Sequence, residues 1–168
     1  IDQMQNFYFQ ERKKYQKNKS TKIIIDKLPL NIIHIGEILR FFPNAKFVFA
    51  LRHPYDSVLS CFMQQFILNP AMKNFLSIKS SAFLYDLVMK LWTIYKEKFP
   101  INFHIIKYED IVTNFEKTTK EVFKYLNLDW TEQTKDFYVT AKNRIDISTP
   151  SYNQVTSPIY SKSVSRWK

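Results

Sequence analysis

Short apolar segments alternate with helix-type periodicity along this chain, and this alternation limits the folds that it can adopt. The segments "KIIID" (22–26), "KFVFAL" (46–51) and "INFHIIKY" (101–108) are rich in β-branched and aromatic residues, which is typical of buried strands. Between them, apolar residues recur every three or four positions, as in amphipathic helices. Strands that alternate with helices predict an α/β fold, in which helices cover the faces of a parallel sheet.

The predicted helices have recognisable ends. The first core helix begins at Asn31 as an N-cap and stops at Pro43. The next helix runs from Pro54, which suits the first helical position, to about Phe66. Further helices are predicted over the ranges 2–18, 84–99, 115–126 and 131–142. The remainder, from about residue 143, is predicted to be ordered but irregular.

The composition favours a folded domain with anionic partners. The chain has 168 residues, of which 45% are hydrophobic, and this is enough for one domain with a core of ordinary size. Its net charge is +10, which favours nucleic acid, a membrane surface, a nucleotide, or a sulfated or phosphorylated substrate. The basic run at 11–22 is most simply a solvated helix end and loop.

Two residue types are nearly absent, and each absence excludes a class of site. Gly36 is the only glycine, so the chain has no glycine-rich phosphate loop of the kind found in kinase-like nucleotide enzymes. Cys61 is the only cysteine, so an internal disulfide and a cysteine-built zinc site are excluded. No metal is expected.

The compartment is left open by the sequence. No apolar run approaches the roughly 18 residues of a membrane span, and no signal peptide is recognisable. Together with the single cysteine, these features favour the cytoplasm. The chain begins with Ile1 rather than Met, which leads us to expect a fragment.

Polar residues follow each predicted strand. They are Asp26–Lys27, Arg52 and Tyr108–Asp110. Because ligands of parallel sheets bind at the carboxyl ends of the strands, we expect these residues to face one edge. Arg52 can hold an anion bidentately, and Ser60 follows eight residues later on a predicted helix. Spacing alone is also consistent with Arg52 as an ordinary surface arginine and Ser60 as a hydroxyl on an exposed helix face.

Four motifs together resemble sulfotransferases that use 3′-phosphoadenosine 5′-phosphosulfate (PAPS). "LRHPYDSVLSCF" (51–62) is similar to their 3′-phosphate-binding motif, and "DKLPLN" (26–31) to the Asp-Lys-x-Pro segment of the tetratricopeptide-repeat-linked and tyrosylprotein enzymes. "IIKYEDIV" (105–112), followed by "EVFKYLNLDW" (121–130), resembles a later strand and helical hairpin. Residues 151–168 are similar to the C-terminal segment of these enzymes.

The resemblance implies a role for individual residues. Arg52 and Ser60 would hold the 3′-phosphate of PAPS, and Tyr108 would lie near the adenosine or its phosphate. Lys27 would stabilise the sulfuryl group, with the help of Ser151.

The resemblance also implies a covering segment and a fold. Lys162 and Arg166 would lie in the segment that folds over the cofactor, where Ser165 replaces a common glycine. The implied fold is a three-layer α/β sandwich around a short parallel sheet, P-loop-NTPase-like and N-terminally truncated. In this interpretation residues 1–168 form a partial domain, with a basic helix at 1–21, an α/β core at 22–142 and a cofactor-covering segment at 143–168.

Two parts of such an enzyme have no match here, namely the glycine-containing phosphosulfate loop and the glutamate base. The three histidines are expected to have ordinary structural roles, and Glu109 and Asp110 to cap a helix start. The histidines are His34, His53 and His104. We therefore expect the isolated chain to be inactive.

Two functional hypotheses follow. The first is a sulfotransferase domain fragment that, when complete, transfers sulfate from PAPS to the hydroxyl of a protein tyrosine, a carbohydrate or a small molecule. The alternative is a non-enzymatic basic α/β module that binds nucleic acid or other polyanions. On the first hypothesis no specific nucleic acid partner is expected.

Overall fold

The structure is a computed structural model that describes residues 1–15, 23–143 and 152–168. Within these ranges, β1 (Phe47–Leu51) and β2 (Phe103–Lys107) form a parallel two-stranded sheet. The helices are α1 (Asp2–Lys13), α2 (Ile35–Phe41), α3 (Pro54–Met63), α4 (Ile78–Lys98), α5 (Tyr108–Thr113), α6 (Phe115–Leu126), α7 (Phe137–Lys142) and α8 (Tyr152–Val155). Short 3-10 helices occupy Pro29–His34, Met72–Leu76 and Glu132–Asp136. The predicted α/β class is confirmed.

The strand predicted at 22–26 is wrong. Residues 23–28 have no regular structure, and Ile25 is 79% exposed. A run of β-branched residues forms a strand only when a neighbouring strand accepts its hydrogen bonds. In the described residues the sheet contains only β1 and β2, so this segment has no such partner.

Several predicted helix ends are also corrected. Asn31 does not cap a helix but lies inside the 3-10 helix Pro29–His34, and His34 precedes α2. α1 ends at Lys13 and α3 at Met63, in each case earlier than the sequence predicts. The segment after Met63 turns to extended backbone at Gln64, although its apolar residues continue the helical pattern.

The chain divides into two compact units, of which the first comprises residues 1–47 and 87–102. Among the described residues of this unit, Ile35 and Trp92 are the buried apolar ones, each 3% exposed. The Tyr95 hydroxyl donates to the carbonyl oxygen of Ile33 at 2.9 Å. The single glycine, Gly36, lies in α2, where a Cβ atom would stand 3.4 Å from the Tyr95 ring. Gly36 therefore belongs to a helix contact and not to a phosphate loop.

The second unit comprises residues 48–86 and 103–168 and contains β2 and all of β1 after Phe47. Pro54 begins α3 directly after β1, because its fixed φ suits the first helical position. α6 ends at Leu126 and is capped by Asn127, which adopts a left-handed conformation with φ 60°. The buried Thr118 hydroxyl lies 3.1 Å from the Asp110 carbonyl oxygen and thereby joins α6 to α5.

In the described ranges, no helix is long and apolar enough to cross a membrane. The same residues contain no group of three or more His, Cys, Asp or Glu side chains that could hold a metal ion.

Candidate functional site

One face of α3 and the loop before it line a narrow crevice. Arg52, Asp56 and Ser60 follow one another at intervals of four, so they lie on the same face of the helical turn. The crevice is lined by Arg52, Asp56, Leu59, Ser60, Met63 and Arg166, and its walls lie too close together to admit a water molecule. It joins two cationic side chains, one carboxylate and one hydroxyl in the second unit.

Arg52 is held from two sides, and one of its donors has no partner among the described residues. Its guanidinium lies over the Tyr108 ring, 5.0 Å from the ring centroid, and Nη2 donates to the carbonyl oxygen of Ser163. The Nε atom is buried, and no acceptor among the described residues bonds to it. A buried donor without an acceptor costs about 1–3 kcal/mol, so Arg52 has unused capacity to bind an anion.

Asp56 is the most deeply buried charged residue that the structure describes, with 1% exposure. Its Oδ2 accepts the backbone N–H of Ser165 at 2.8 Å, and its Oδ1 accepts that of Trp167 at 3.3 Å. The nearest Arg52 nitrogen lies 4.0 Å from Oδ1, which is too long for a hydrogen bond. The carboxylate therefore binds the C-terminal segment rather than the arginine.

An aromatic cluster lies beside this attachment. The imidazole of His53 stacks on the Trp167 ring at 5.2 Å with an interplanar angle of 6°. Tyr55 contacts the same indole edge to face at 5.0 Å. The indole thus packs against the residues that begin α3, which adds apolar contact to the hydrogen bonds of Asp56.

The ends of the two strands meet, as the sequence predicts for a parallel sheet. The backbone N–H of His53, which follows β1, donates to Oε1 of Glu109, which follows β2, at 2.9 Å. The prediction that Glu109 and Asp110 cap a helix start is wrong, since α5 begins at Tyr108 without any side-chain cap. The Glu109 carboxylate instead joins the start of α5 to the loop after β1.

The structure brings together four of the predicted site residues. Arg52, Ser60 and Arg166 line the crevice, and Tyr108 lies against Arg52. Lys162 belongs to the same C-terminal segment but is exposed and does not line the crevice.

The two remaining predicted residues are Lys27 and Ser151. Lys27 is an exposed residue of the first unit, in the irregular stretch before the 3-10 helix. Ser151 lies outside the described residues. The roles of Lys27 and Ser151 in sulfuryl transfer therefore stay predictions.

Asp56 and Trp167 belong to the motifs that the sequence indicates, but the sequence analysis gave neither residue a role in the site. The signal for Asp56 was present, since an acidic residue in the first turn of an apolar helix stands four residues from both Arg52 and Ser60. The signal for Trp167 was absent, because its contacts with Asp56 join positions 111 residues apart.

Cys61, which follows Ser60 in α3, and the two histidines other than His53 make contacts of an ordinary structural kind. Burial raises the pKa of the Cys61 thiol, and the positive charge of Arg52 only partly opposes this. A raised pKa makes a thiol a poor nucleophile. His104 stacks on Tyr125 at 5.3 Å, and His34 contacts Glu37.

Comparisons of the sequence and of the structure with known proteins both point to sulfotransferases. The model of the sulfotransferase family matches residues 2–132. An uncharacterized protein of Aquifex aeolicus (strain VF5) is 28% identical over 157 residues, which are 86% of this chain and 19% of that protein. The chain thus spans about a fifth of the length of this relative.

A solved structure has the same fold. The sulfotransferase domain from the curacin biosynthetic pathway aligns with a TM-score of 0.61 and 18% identity over 97% of this chain and 60% of that chain. At this identity the similarity establishes the fold alone.

Proposed function

The chain belongs to the sulfotransferase family, and from this premise we propose that its crevice binds the 3′-phosphate of PAPS. In this proposal Arg52, Ser60 and Arg166 hold the phosphate, and Tyr108 lies beside the adenosine. The complete enzyme would transfer the sulfate to a hydroxyl acceptor. The observation that carries the proposal is the buried Nε of Arg52, which has no acceptor within the described residues.

The charges of the crevice support an anionic ligand. Two guanidinium groups face one carboxylate, and that carboxylate already accepts two backbone N–H groups. Arginine binds phosphate through two parallel hydrogen bonds. The Ser60 hydroxyl can donate one more. The two guanidinium groups would therefore compensate the charge of a dianionic phosphate, and together with the Ser60 hydroxyl they would donate hydrogen bonds to it.

Binding requires the crevice to open. Arg52 donates to the Ser163 carbonyl oxygen, and this contact has to be exchanged for one with the phosphate. Because the exchange replaces one hydrogen bond by another, its net cost is small. The Tyr108 ring supports the guanidinium during the exchange through a cation–π contact.

Sulfuryl transfer depends mainly on positioning and on cationic stabilisation of the moving group, as phosphoryl transfer does. PAPS supplies the activated sulfate when bound. Lys27 is our candidate for electrophilic stabilisation of the sulfuryl group, and Ser151 for its helper. A phosphosulfate loop and a glutamate base have no match in this sequence, so we propose that the isolated chain binds the nucleotide without transferring sulfate.

Calorimetry with 3′-phosphoadenosine 5′-phosphate tests this proposal. We expect weak binding by the wild-type chain and a loss of at least about tenfold in Arg52→Ala, since a charge-assisted hydrogen bond contributes about 1.5–3 kcal/mol. Arg40→Ala is the matched control, because it removes an exposed arginine from α2.

A different result supports the other class of function. If a folded wild-type sample binds no nucleotide but binds DNA with a steep salt dependence, the proposal is wrong and the chain is a polyanion-binding module.

A further inference from the structure

The segment that carries Arg166 is attached to α3 by one carboxylate. Asp56 accepts the N–H groups of Ser165 and Trp167, which stand directly before and after Arg166 in the chain. We propose that Asp56 is a positioning residue: it holds Arg166 at the crevice and thereby sets the affinity for the anion. This inference rests on the proposed function.

The local backbone shows that the attachment determines the conformation of the segment. Ser165 has φ 58°, a left-handed conformation that costs a non-glycine residue about 1–2 kcal/mol. The two hydrogen bonds to the buried carboxylate offset this cost, since bonds to a charged group are the stronger ones. Without them the segment would relax, and Arg166 would leave its place.

Arg52 and Asp56 both bind the C-terminal segment, but they bind different backbone groups of it. Arg52 holds the Ser163 carbonyl oxygen, but it has to release this oxygen when its guanidinium binds phosphate. Asp56 holds backbone N–H groups with a buried, charged carboxylate, which competes with an anion for these donors more strongly than the neutral Ser163 carbonyl oxygen competes for Arg52. The segment therefore stays attached through Asp56 while Arg52 changes partners.

The sign of the effect separates this proposal from plain electrostatics. Asp56 lines the crevice, so its negative charge repels an anion, and Asp56→Asn should tighten binding if charge alone matters. A positioning role predicts the opposite. The two N–H groups bond to different carboxylate oxygens, and asparagine replaces one of these oxygens by an NH₂ group, which donates and does not accept.

Two measurements on Asp56→Asn test the inference. Amide hydrogen exchange should become faster at Ser165 and Trp167, because their N–H groups lose the carboxylate. Calorimetry with 3′-phosphoadenosine 5′-phosphate should show binding about tenfold weaker than in the wild type. Asp129→Asn, which removes the charge of an exposed carboxylate in the same unit, should change neither.

A rescue variant adds a readout that a general loss of stability would not give. Glycine adopts positive φ without strain. The double variant Asp56→Asn, Ser165→Gly should therefore bind the nucleotide about threefold more tightly than Asp56→Asn alone. If Asp56→Asn does not fold, Asp56→Glu replaces it, since glutamate keeps the charge and changes only the reach of the carboxylate. It should also weaken binding.

The possible outcomes are distinct. Equal or tighter nucleotide binding by Asp56→Asn, or unchanged exchange at Ser165 and Trp167, overturns the positioning role while leaving the proposed function intact. Absence of nucleotide binding by the wild type overturns the proposed function itself, whatever the exchange rates show. Weaker binding together with faster exchange and rescue by Ser165→Gly supports both.

Discussion

At the scale of single residues, Arg52 combines contacts that a surface arginine does not make. It lies over the Tyr108 ring, donates to the Ser163 carbonyl oxygen and keeps a buried Nε without an acceptor in the described residues. Its guanidinium is therefore positioned before any ligand arrives. Preorganised donors bind an anion with less loss of side-chain entropy than flexible ones.

Ser165 provides a prediction about stability. Replacing it by glycine removes the cost of a left-handed L-residue but adds entropy to the unfolded chain. We expect Ser165→Gly to raise the free energy of unfolding by about 0.5 kcal/mol, measured by chemical denaturation.

The control lies in the same segment. Ser161 does not have a positive φ, so Ser161→Gly gains nothing from the flexibility of glycine and should lower the free energy of unfolding by about 0.5–1 kcal/mol. If both variants change stability in the same direction, the conformation of Ser165 does not explain the effect.

The site was only partly predictable from the sequence, for a physical reason. Arg52, Ser60, Tyr108 and Arg166 were proposed from motifs, and the structure groups them. The attachment of Asp56 to Ser165 joins residues 109 positions apart, and the donor is a backbone N–H, which every residue except proline has. A pattern of side chains in the sequence therefore does not predict such a contact.

At the scale of elements, the helices α4 and α6 and two of the three strands were predicted, whereas the strand at 22–26 was not borne out. α4 and α6 carry their own periodicity and hydrogen bonds, so the sequence indicates them locally. The segment 23–28 has the composition of a strand but no strand beside it in the described residues. Strand formation depends on tertiary pairing, and local composition does not supply it.

A charge network joins α6 to the 3-10 helix Glu132–Asp136. The Glu116 carboxylate contacts Lys120 Nζ at 2.6 Å and Lys135 Nζ at 2.9 Å. Both ammonium groups also lie near the Trp130 ring, at 4.8 and 5.5 Å from its centroid. Hydrogen bonds to Lys120 and then Lys135 lower the pKa of Glu116 to about 2.

This pKa predicts a specific dependence of stability on pH. The folded pKa lies below the ordinary value of 4.5, so the contribution of Glu116 is present above about pH 4.5 and is lost as the pH falls towards 2. Denaturant unfolding of Glu116→Gln should show a weaker loss of stability over this range than the wild type.

Two comparisons make the pH test specific. The difference between wild type and Glu116→Gln should shrink at high salt, because these side chains are partly exposed. Glu97→Gln, an exposed position in α4, should retain the wild-type profile. Identical pH profiles for wild type and Glu116→Gln would contradict the role of the network.

At the scale of the whole molecule, the chain covers 60% of the solved sulfotransferase domain to which it is similar. Its strands also expose apolar side chains that parallel sheets normally bury, since Val48 is 42% and Ile105 is 40% exposed. The charged and hydroxyl groups that line the crevice are all assigned to the 3′-phosphate in our proposal. Affinity should therefore depend on the 3′-phosphate more than on any other group of the donor.

The most direct test of the central claim compares two nucleotides that differ only in that phosphate. We predict that the wild-type chain binds 3′-phosphoadenosine 5′-phosphate at least about tenfold more tightly than adenosine 5′-phosphate, and that Arg52→Ala removes this preference. Equal affinity of the wild-type chain for the two nucleotides would contradict the assignment of the crevice to the 3′-phosphate.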